Sequence, residues 1–491
     1  MNGITHTDEV KLARREARNG FSYPEISLST KGEPLTAVSA DSKHVLVIGA
    51  GVSGLMVAWM LLDKGYRVTI LADDWAWTND FERSRMTSQI AGALWEFPPG
   101  GCGLTEINET SGSGGWAAIE HYREWALQSY EFYQKYCCDV SNYHEDTGHS
   151  FGLRFAKLHQ FFYTDVNKPE NENEYAKLQA IQEAKERMGE VEIHTREELR
   201  TKFKDIIQPD FQNQSLESAY SHRAPIINTD KAMAYLMALV MAKGASMESR
   251  KLDKPIRDIG KQLLRDFDAQ AIVNATGLGA KELANDPDVY PVRGAVRRVE
   301  NTHRGQFRHL NDAYLVPAQR DENNHPTKTV FIVPRNDDVL YVGSIIQPNN
   351  DELKLTPDSP EVQVMWDRAS EFMPSLRHAG FCPGYPFAQG LRPFTTKNAK
   401  VRADENADFP LVHNYGHGGS GWTLGVGTAR CAVAILEQLW DLGSSALKDK
   451  AVAVNRDVCK PSDATEDSLA ADPCQNKDKL FFKGLVRKNV V

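Results

Sequence analysis

The first sustained apolar run of the chain, VLVIG at residues 45–49, is followed by LMVAWMLLDKG at residues 55–65 and RVTIL at residues 67–71. A short unbroken apolar run predicts a strand buried on both faces, and the longer stretch, closed by Gly65, predicts a helix. The three together predict a β–α–β unit that begins a parallel sheet. Upstream, residues 1 to about 41 are polar, with Pro24, Pro34 and no sustained period, so an N-terminal extension is expected and the folded body should begin near His44. NENEYAKLQAIQEAKERMGE, residues 171–190, sets charges around a thin apolar stripe and predicts an exposed helix. TDKAMAYLMALVMAKG, residues 229–244, predicts a helix capped by Thr229 and stopped by Gly244, with its methionines in the core. AQAIVNATGLGAKEL, residues 269–283, reads as strand, tight turn and helix start, and VFIVPRNDDVLYVGSII, residues 330–346, as a hairpin turning at Asn336-Asp337-Asp338. Two kinds of strand therefore interleave. The pattern predicts an α/β protein: a parallel nucleotide-binding sheet assembled from separated segments, and a second, mostly antiparallel sheet built from the insertions.

Composition acts mainly by exclusion. A length of 491 residues predicts two or more domains, and 57 Lys and Arg against 66 Asp and Glu, a net charge of −9, argue against a general affinity for nucleic acid. No run of 18 apolar residues occurs and the start is polar, so neither a spanning helix, a membrane partner nor a secretory signal is expected. Seven cysteines without CxxC spacing point to reduced thiols and no metal site. A cytoplasmic location follows as the expectation, and the ending RKNVV is not a peroxisomal address. TSGSGGW at residues 110–116 is expected to be a flexible loop, and the terminal KLFFKGLVRKNVV to dock on its own protein.

The chemistry enters with two glycine turns. Gly49, Gly51 and Gly54 form GxGxxG between a predicted strand and helix, so the amides around Val52 and Ser53 and the helix start would face a pyrophosphate. Asp73 lies 19 residues beyond Gly54, where a carboxylate accepts hydrogen bonds from a ribose, and Asp74 competes for that place. This motif leaves FAD and NAD open. HNYGHGGSGWTLG, residues 413–425, is a second glycine turn opening a helix.

Three further stretches fall in order around these: MTSQIAGALWEFP at residues 86–98, IVNATGLGAKEL ahead of PVRGAVRRVE, and QGLRPF ahead of VHNYGHGGSGWTLGVGTA. In this order and spacing the chain, over roughly residues 43 to 440, resembles the D-amino-acid oxidase family of FAD-dependent oxidases. The resemblance implies FAD as cofactor, with Gly49, Gly51, Val52, Ser53 and Gly54 at its pyrophosphate, Asp73 at its ribose, and Thr87, Ser88, Ala91, Gly92, Ala93 and Leu94 on the flavin side. These last look like the family segment TTSDVAAGLW, with Gln89 in place of an acid and Gly92-Ala93 in place of Ala-Gly. Asn274, Ala275, Thr276 and Gly277 look like the second crossing of the cofactor. Gly418, Gly419, Ser420, Gly421, Trp422 and Thr423 are expected to wrap the flavin pyrimidine edge, where amide donors at a helix start favour the reduced form. Arg392 in GLRPF matches the family's substrate-carboxylate arginine, and Tyr314 in NDAYLVP the tyrosine supporting it; both are the expected catalytic residues. His222 and Arg223 fall near the segment that contacts substrate side chains.

The implied fold is a FAD-binding Rossmann-like domain of the glutathione-reductase type, from residues 42–100, 230–300 and 385–442. An α+β substrate domain would come from residues 101–229 and 301–384, and a tail from 443–491. The implied activity is hydride removal from the α carbon of an amino acid, with oxygen as the second substrate and peroxide as product; oligomerisation is left open. Leu310, four residues before Tyr314, and Ser420 stand where the family has aromatic residues. They motivate two alternatives: an oxidase of bulky secondary or cyclic amines, or a flavin-binding protein without turnover. A nicotinamide dehydrogenase would leave QGLRPF and the second glycine turn without a task.

Overall fold

The computed structural model describes residues 28–76, 85–100, 116–139, 150–320, 326–441 and 447–458. The predicted loop at 110–115 and the terminal apolar tip lie outside these residues. The strands of the two large sheets are, in chain order, β1 (His44–Ile48), β2 (Arg67–Ala72), β3 (Leu153–Phe162), β4 (Glu192–Thr195), β5 (Ser218–Ile227), β6 (Ser246–Ser249), β7 (Ala271–Asn274), β8 (Val289–Glu300), β9 (Ala313–Val316), β10 (Val330–Pro334), β11 (Val339–Pro348), β12 (Phe387–Thr395), β13 (Lys400–Ala403) and β14 (Leu411–Tyr415).

One sheet runs β13-β14-β7-β1-β2-β6 and is parallel apart from the β13–β14 pair. Its central strands β1 and β7 are almost wholly apolar because both faces are covered, whereas the edge strand β6, Ser-Met-Glu-Ser, is largely exposed. Val45 and Val47 pack against helices α1 (Val52–Asp63) and α2 (Gly421–Asp441) on one side. Leu46 and Ile48 pack against Ile256, Leu263 and Phe409 on the other. α1 is buried along its whole length, which explains why its sequence shows no polar stripe.

The second sheet runs β12-β8-β11-β10-β9-β3-β5-β4 and is antiparallel except where β9 meets β3. β8 and β12, placed by sequence with the FAD-binding segments, pair here instead, Gly294 opposite Gly390. The predicted hairpin is β10–β11, with Pro334 opposite Leu340. The helix expected over 229–244 spans Thr229–Ala242, with Asn228 rather than Thr229 at its N-cap. The stretch 171–190 forms helix Glu172–Glu183 and a further turn, Lys185–Met188.

The described part of the N-terminal extension is docked. Leu28 is fully buried. The Asp63 carboxylate accepts from the amides of Ser29 at 2.7 Å and Leu35 at 3.1 Å and from Trp59 Nε1 at 2.9 Å, while Lys243 Nζ pairs with it at 2.6 Å. A buried carboxylate needs that many partners to offset its desolvation, and a polar sequence gives no periodic sign of such an anchor. Beyond residue 443, helix Leu447–Val458 clips to β13 through Asn455, which exchanges two hydrogen bonds with Ala403.

Candidate functional site

The C-terminal ends of β1, β2 and β7 and the inner face of the antiparallel sheet enclose a cavity of ≈ 700 Å³. Open α/β sheets bind ligands outside the strand ends, where neighbouring connections diverge, and this volume lies in the upper part of the range of about 300–1,000 Å³ for ligand pockets. Gly49, Gly51, Val52, Ser53, Asp73 and Asp74 line one stretch, with Arg250 to Asp253 and Ala275 to Gly279 opposite. At Gly49, φ is +110° and a Cβ would run into the Ala275 carbonyl, so the turn requires glycine. Gly54 does not line the cavity; it lies against Gly49, where it lets α1 pack close to β1. Asp73 lies 3.9 Å from Lys251 Nζ. Thr276 lines the cavity, and both its hydroxyl and its amide bond Asn274 Oδ1, at 2.7 and 3.2 Å. Asn274 is itself held by His413 Nδ1 at 3.2 Å, and His413 Nε2 by Asp404 at 2.8 Å.

Thr87, Ser88 and Ala91 to Leu94 form the next part of the wall. Ser88 ties three elements together: its hydroxyl accepts from Val52 N at 3.1 Å, and its carbonyl accepts from Trp422 Nε1 at 2.9 Å. The Thr87 hydroxyl donates to Leu391 O at 2.9 Å, beside Arg392. Facing this segment are Asn414, His417, Gly418, Gly419, Gly421 and Trp422 at the start of α2. Burial lowers His417 to about 4, so at neutral pH it is uncharged. Its Nε2 donates to Asn414 Oδ1 at 3.0 Å, and its Nδ1 faces the Ser53 hydroxyl at 3.4 Å. Asn414 Nδ2 is buried and has no partner among the described residues. An orphaned donor and an open helix start in one wall fit a ligand with carbonyl or anionic edges. Ser420 and Thr423, expected here, are buried but do not line the cavity.

Arg392 lines the far end. Its Nη2 donates to Ser344 Oγ at 2.8 Å and its Nη1 to Ile345 O at 3.2 Å. The guanidinium lies flat on Gly294, where a Cβ would fall 2.6 Å from Nη2, so glycine there makes room for the cation. Phe331, Ala295, Val296, Ala388, Gly390 and Ile90 complete an apolar wall.

Tyr314 is not part of this wall. β9 sets Tyr314 opposite Ile332 and Leu315 opposite Phe331. Side chains alternate along a strand, so with Phe331 facing the cavity Tyr314 faces away, into a second core with Phe161, Phe203 and Phe372. Its ring stacks on Phe161 at 9° with centroids 6.5 Å apart, and burial raises its phenol. Leu310 belongs to that outer core too, so neither it nor Ser420 shapes the cavity lining. His222 packs between Trp95 and Tyr220, and the Arg223 guanidinium lies over Phe155. Neither reaches the cavity. Sequence reasoning passed over Phe331, Ser344 and Gly294; the hairpin was legible, and its period of two would have flagged Phe331 once one inward residue was known.

Among the described residues no group of His, Cys, Asp or Glu could hold a metal, and no helix is long and apolar enough to cross a membrane. A family model described as FAD dependent oxidoreductase matches residues 44–435. A D-amino-acid oxidase of Schizosaccharomyces pombe is 26% identical over 408 residues, covering 80% of this chain and 96% of that protein. Glycine oxidase from Geobacillus kaustophilus superposes with a TM-score of 0.59 at 19% identity, covering 81% of this chain and 95% of its own. L-α-glycerophosphate oxidase from Mycoplasma pneumoniae, crystallised with FAD bound, gives 0.55 at 16%, covering 81% and 95%.

Proposed function

Because this chain belongs to the D-amino-acid oxidase (DAO) family of FAD-dependent oxidoreductases, we propose that it oxidises an amino acid at its α carbon, a D-amino acid or a close analogue, to an imine that hydrolyses to a 2-oxo acid. FAD is the cofactor; when bound, it accepts two electrons as hydride and passes them to oxygen as hydrogen peroxide.

The observation that carries the reading is the seat of Arg392: a guanidinium fixed against Gly294 in the wall of the dinucleotide cavity, ringed by apolar side chains. A cation in that setting pairs with a carboxylate through two parallel hydrogen bonds and sets the direction of the adjoining Cα–H. The chain's other contributions are passive. Gly49 to Ser53 and Ala275 to Gly277 would hold the pyrophosphate side of FAD, and Ala91 to Leu94 with Asn414, Gly418, Gly419, Gly421 and Trp422 the flavin. Phe331, Val296 and Ile90 keep water from the reacting carbon.

Among the described residues no carboxylate lines the apolar end of the cavity, and His417 is neutral with both ring nitrogens engaged. No side chain of the described residues is placed to take a proton from the amine, so on this reading the substrate arrives with its amine unprotonated. We therefore expect kcat/KM to rise with pH up to the substrate's own amine pKa, and to shift along the pH axis when substrates of different amine pKa are compared. A pH profile fixed near 4 to 7 for every substrate would implicate an enzyme base and overturn this assignment.

The direct test is anaerobic mixing of the yellow holoenzyme with a panel of D-, L-, N-alkyl and cyclic amino acids, with flavin bleaching and peroxide as readouts. Arg392→Ala is expected to lower kcat/KM by about 10²–10³-fold, since it removes one partner of a buried charged pair. Unchanged kcat/KM in that variant would remove the carboxylate from the reading.

A further inference from the structure

We infer that Ser344 is the second hydrogen-bond donor to the substrate carboxylate, alongside Arg392, in the role that sequence assigns to the Tyr314 hydroxyl. The inference rests on the carboxylate reading of Arg392 and adds to it a residue that motif matching does not reach.

Tyr314 faces the outer core, and the ring that does meet the cavity, Phe331, has no hydroxyl. Of the hydroxyl-bearing residues that line the cavity, Ser53, Thr87, Ser88 and Thr276 sit along the dinucleotide and flavin segments, each with a partner already described. Ser344 is the one on the antiparallel sheet, beside the guanidinium. It is 8% exposed, accepts from Arg392 Nη2 at 2.8 Å, and donates its own proton to Ile345 O at 3.1 Å.

A hydroxyl has one proton and two lone pairs. While one lone pair holds Nη2, the proton is free to rotate from the Ile345 carbonyl to an incoming carboxylate oxygen. That exchanges a neutral acceptor for a charged one, and hydrogen bonds to ionised acceptors are roughly twice as strong as neutral ones. Ile345 O keeps its bond from Arg392 Nη1 at 3.2 Å, so the rotation leaves no buried acceptor unsatisfied. Ser344 would then bridge cation and anion, adding a third hydrogen bond to the two that Arg392 offers the carboxylate.

The test uses holoenzyme titrated with propionate, a carboxylate that lacks the amine and cannot turn over, read by the change in flavin absorbance. KM and kcat are measured in parallel on the best amino acid found. Ser344→Ala is expected to weaken propionate about tenfold or more and to raise KM by a similar factor, with kcat within about twofold, the signature of binding lost equally in ground and transition states. Ser344→Thr, which keeps the hydroxyl, should restore both, and Tyr314→Phe should leave both unchanged. FAD content and melting temperature establish that each variant is folded. Wild-type affinity for propionate in folded Ser344→Ala, or a loss confined to Tyr314→Phe, overturns the inference. Propionate binding that survives Arg392→Ala would instead sink the carboxylate reading beneath it, whatever Ser344→Ala does.

Discussion

Gly92 and Ala93 show how finely the flavin-side wall is fitted to the ring that faces it. A Cβ on Gly92 would fall 2.5 Å from Phe331 Cζ and 2.7 Å from Cε1, so residue 92 cannot carry a side chain while Phe331 keeps its place. The next residue pays for this in backbone conformation: Ala93 sits at φ +42°, a left-handed region that costs an L-residue roughly 1–2 kcal/mol. In the order Gly92-Ala93, inverted relative to the Ala-Gly of the resembling family segment, the glycine falls where the phenylalanine ring leaves no room for a side chain. Two variants follow. Gly92→Ala should destabilise by about 1–3 kcal/mol through overpacking, and adding Phe331→Leu should recover most of that loss. Ala93→Gly should raise stability by about 0.5–1 kcal/mol, relieved strain outweighing the freedom gained by the unfolded chain. Urea midpoints measure both; a destabilised Ala93→Gly, or a double variant no better than Gly92→Ala alone, would break the link. The inversion is legible in sequence, but the contact is not, because nothing local to residues 92 and 93 names the ring they meet.

At the scale of elements, the sequence was informative wherever one segment carried its own signal. β1, α1 and β2 follow from an apolar run, a glycine turn and a second run; the β10–β11 hairpin follows from its Asn-Asp-Asp turn. Pairing partners were not legible, since a strand's period does not say which sheet it joins. β8 and β12, assigned by sequence to the FAD-binding segments, pair within the antiparallel sheet, and Tyr314, expected at the substrate, faces the outer core, because register decides which face a strand residue takes. Arg335 is another element-level feature without a sequence signature. It follows β10, is 1% exposed, and donates to Ala91 O and Gln89 O, both at 2.9 Å. It also reaches the Thr229 hydroxyl and pairs with Asp230 at 3.0 Å, where Arg85 joins the same carboxylate. One guanidinium thus clamps the flavin-side segment to the end of β10 and the start of helix Thr229–Ala242. Arg335→Met should strand the Ala91 carbonyl, while Gln89 O keeps the Thr229 hydroxyl and Asp230 keeps Arg85; it should cost about 1–3 kcal/mol and loosen the wall that holds the flavin. Arg335→Lys should rescue little, since a single ammonium cannot span the fork. FAD retained through dialysis and the melting temperature are the readouts; a folded Arg335→Met that keeps FAD as tightly as wild type would show the clamp to be idle.

For the whole molecule, the most consequential electrostatic feature is the number of histidines the core keeps uncharged. Burial lowers His222 and His417 to about 4, and lowers His44, His194 and His413 as well. In the unfolded chain His222 and His417 would take up a proton near 6.5, whereas in the folded protein they do so only near 4, so the unfolded state binds more protons between about pH 6.5 and 4 and stability falls as pH drops through that window. For a group lowered from 6.5 to about 4, the loss between pH 7.5 and pH 5 is about 2 kcal/mol. The paired carboxylates act elsewhere. Asp288, Asp312 and Asp404 are held below the usual range by their hydrogen bonds and ion pairs, so their contribution persists until the pH falls below about 4. Asp63 and Glu131, raised by burial, oppose the histidines, so the net slope alone does not isolate them. His222 does, because it lies in the core away from the cavity, with Nδ1 on Arg223 O at 3.0 Å. Comparing wild type with His222→Gln in urea at pH 7.5 and pH 5, the wild type should lose about 2 kcal/mol more than the variant across that interval, whatever each loses in total. Parallel losses in the two proteins would mean that His222 takes up its proton in the folded state and that the core around Trp95 and Tyr220 admits charge.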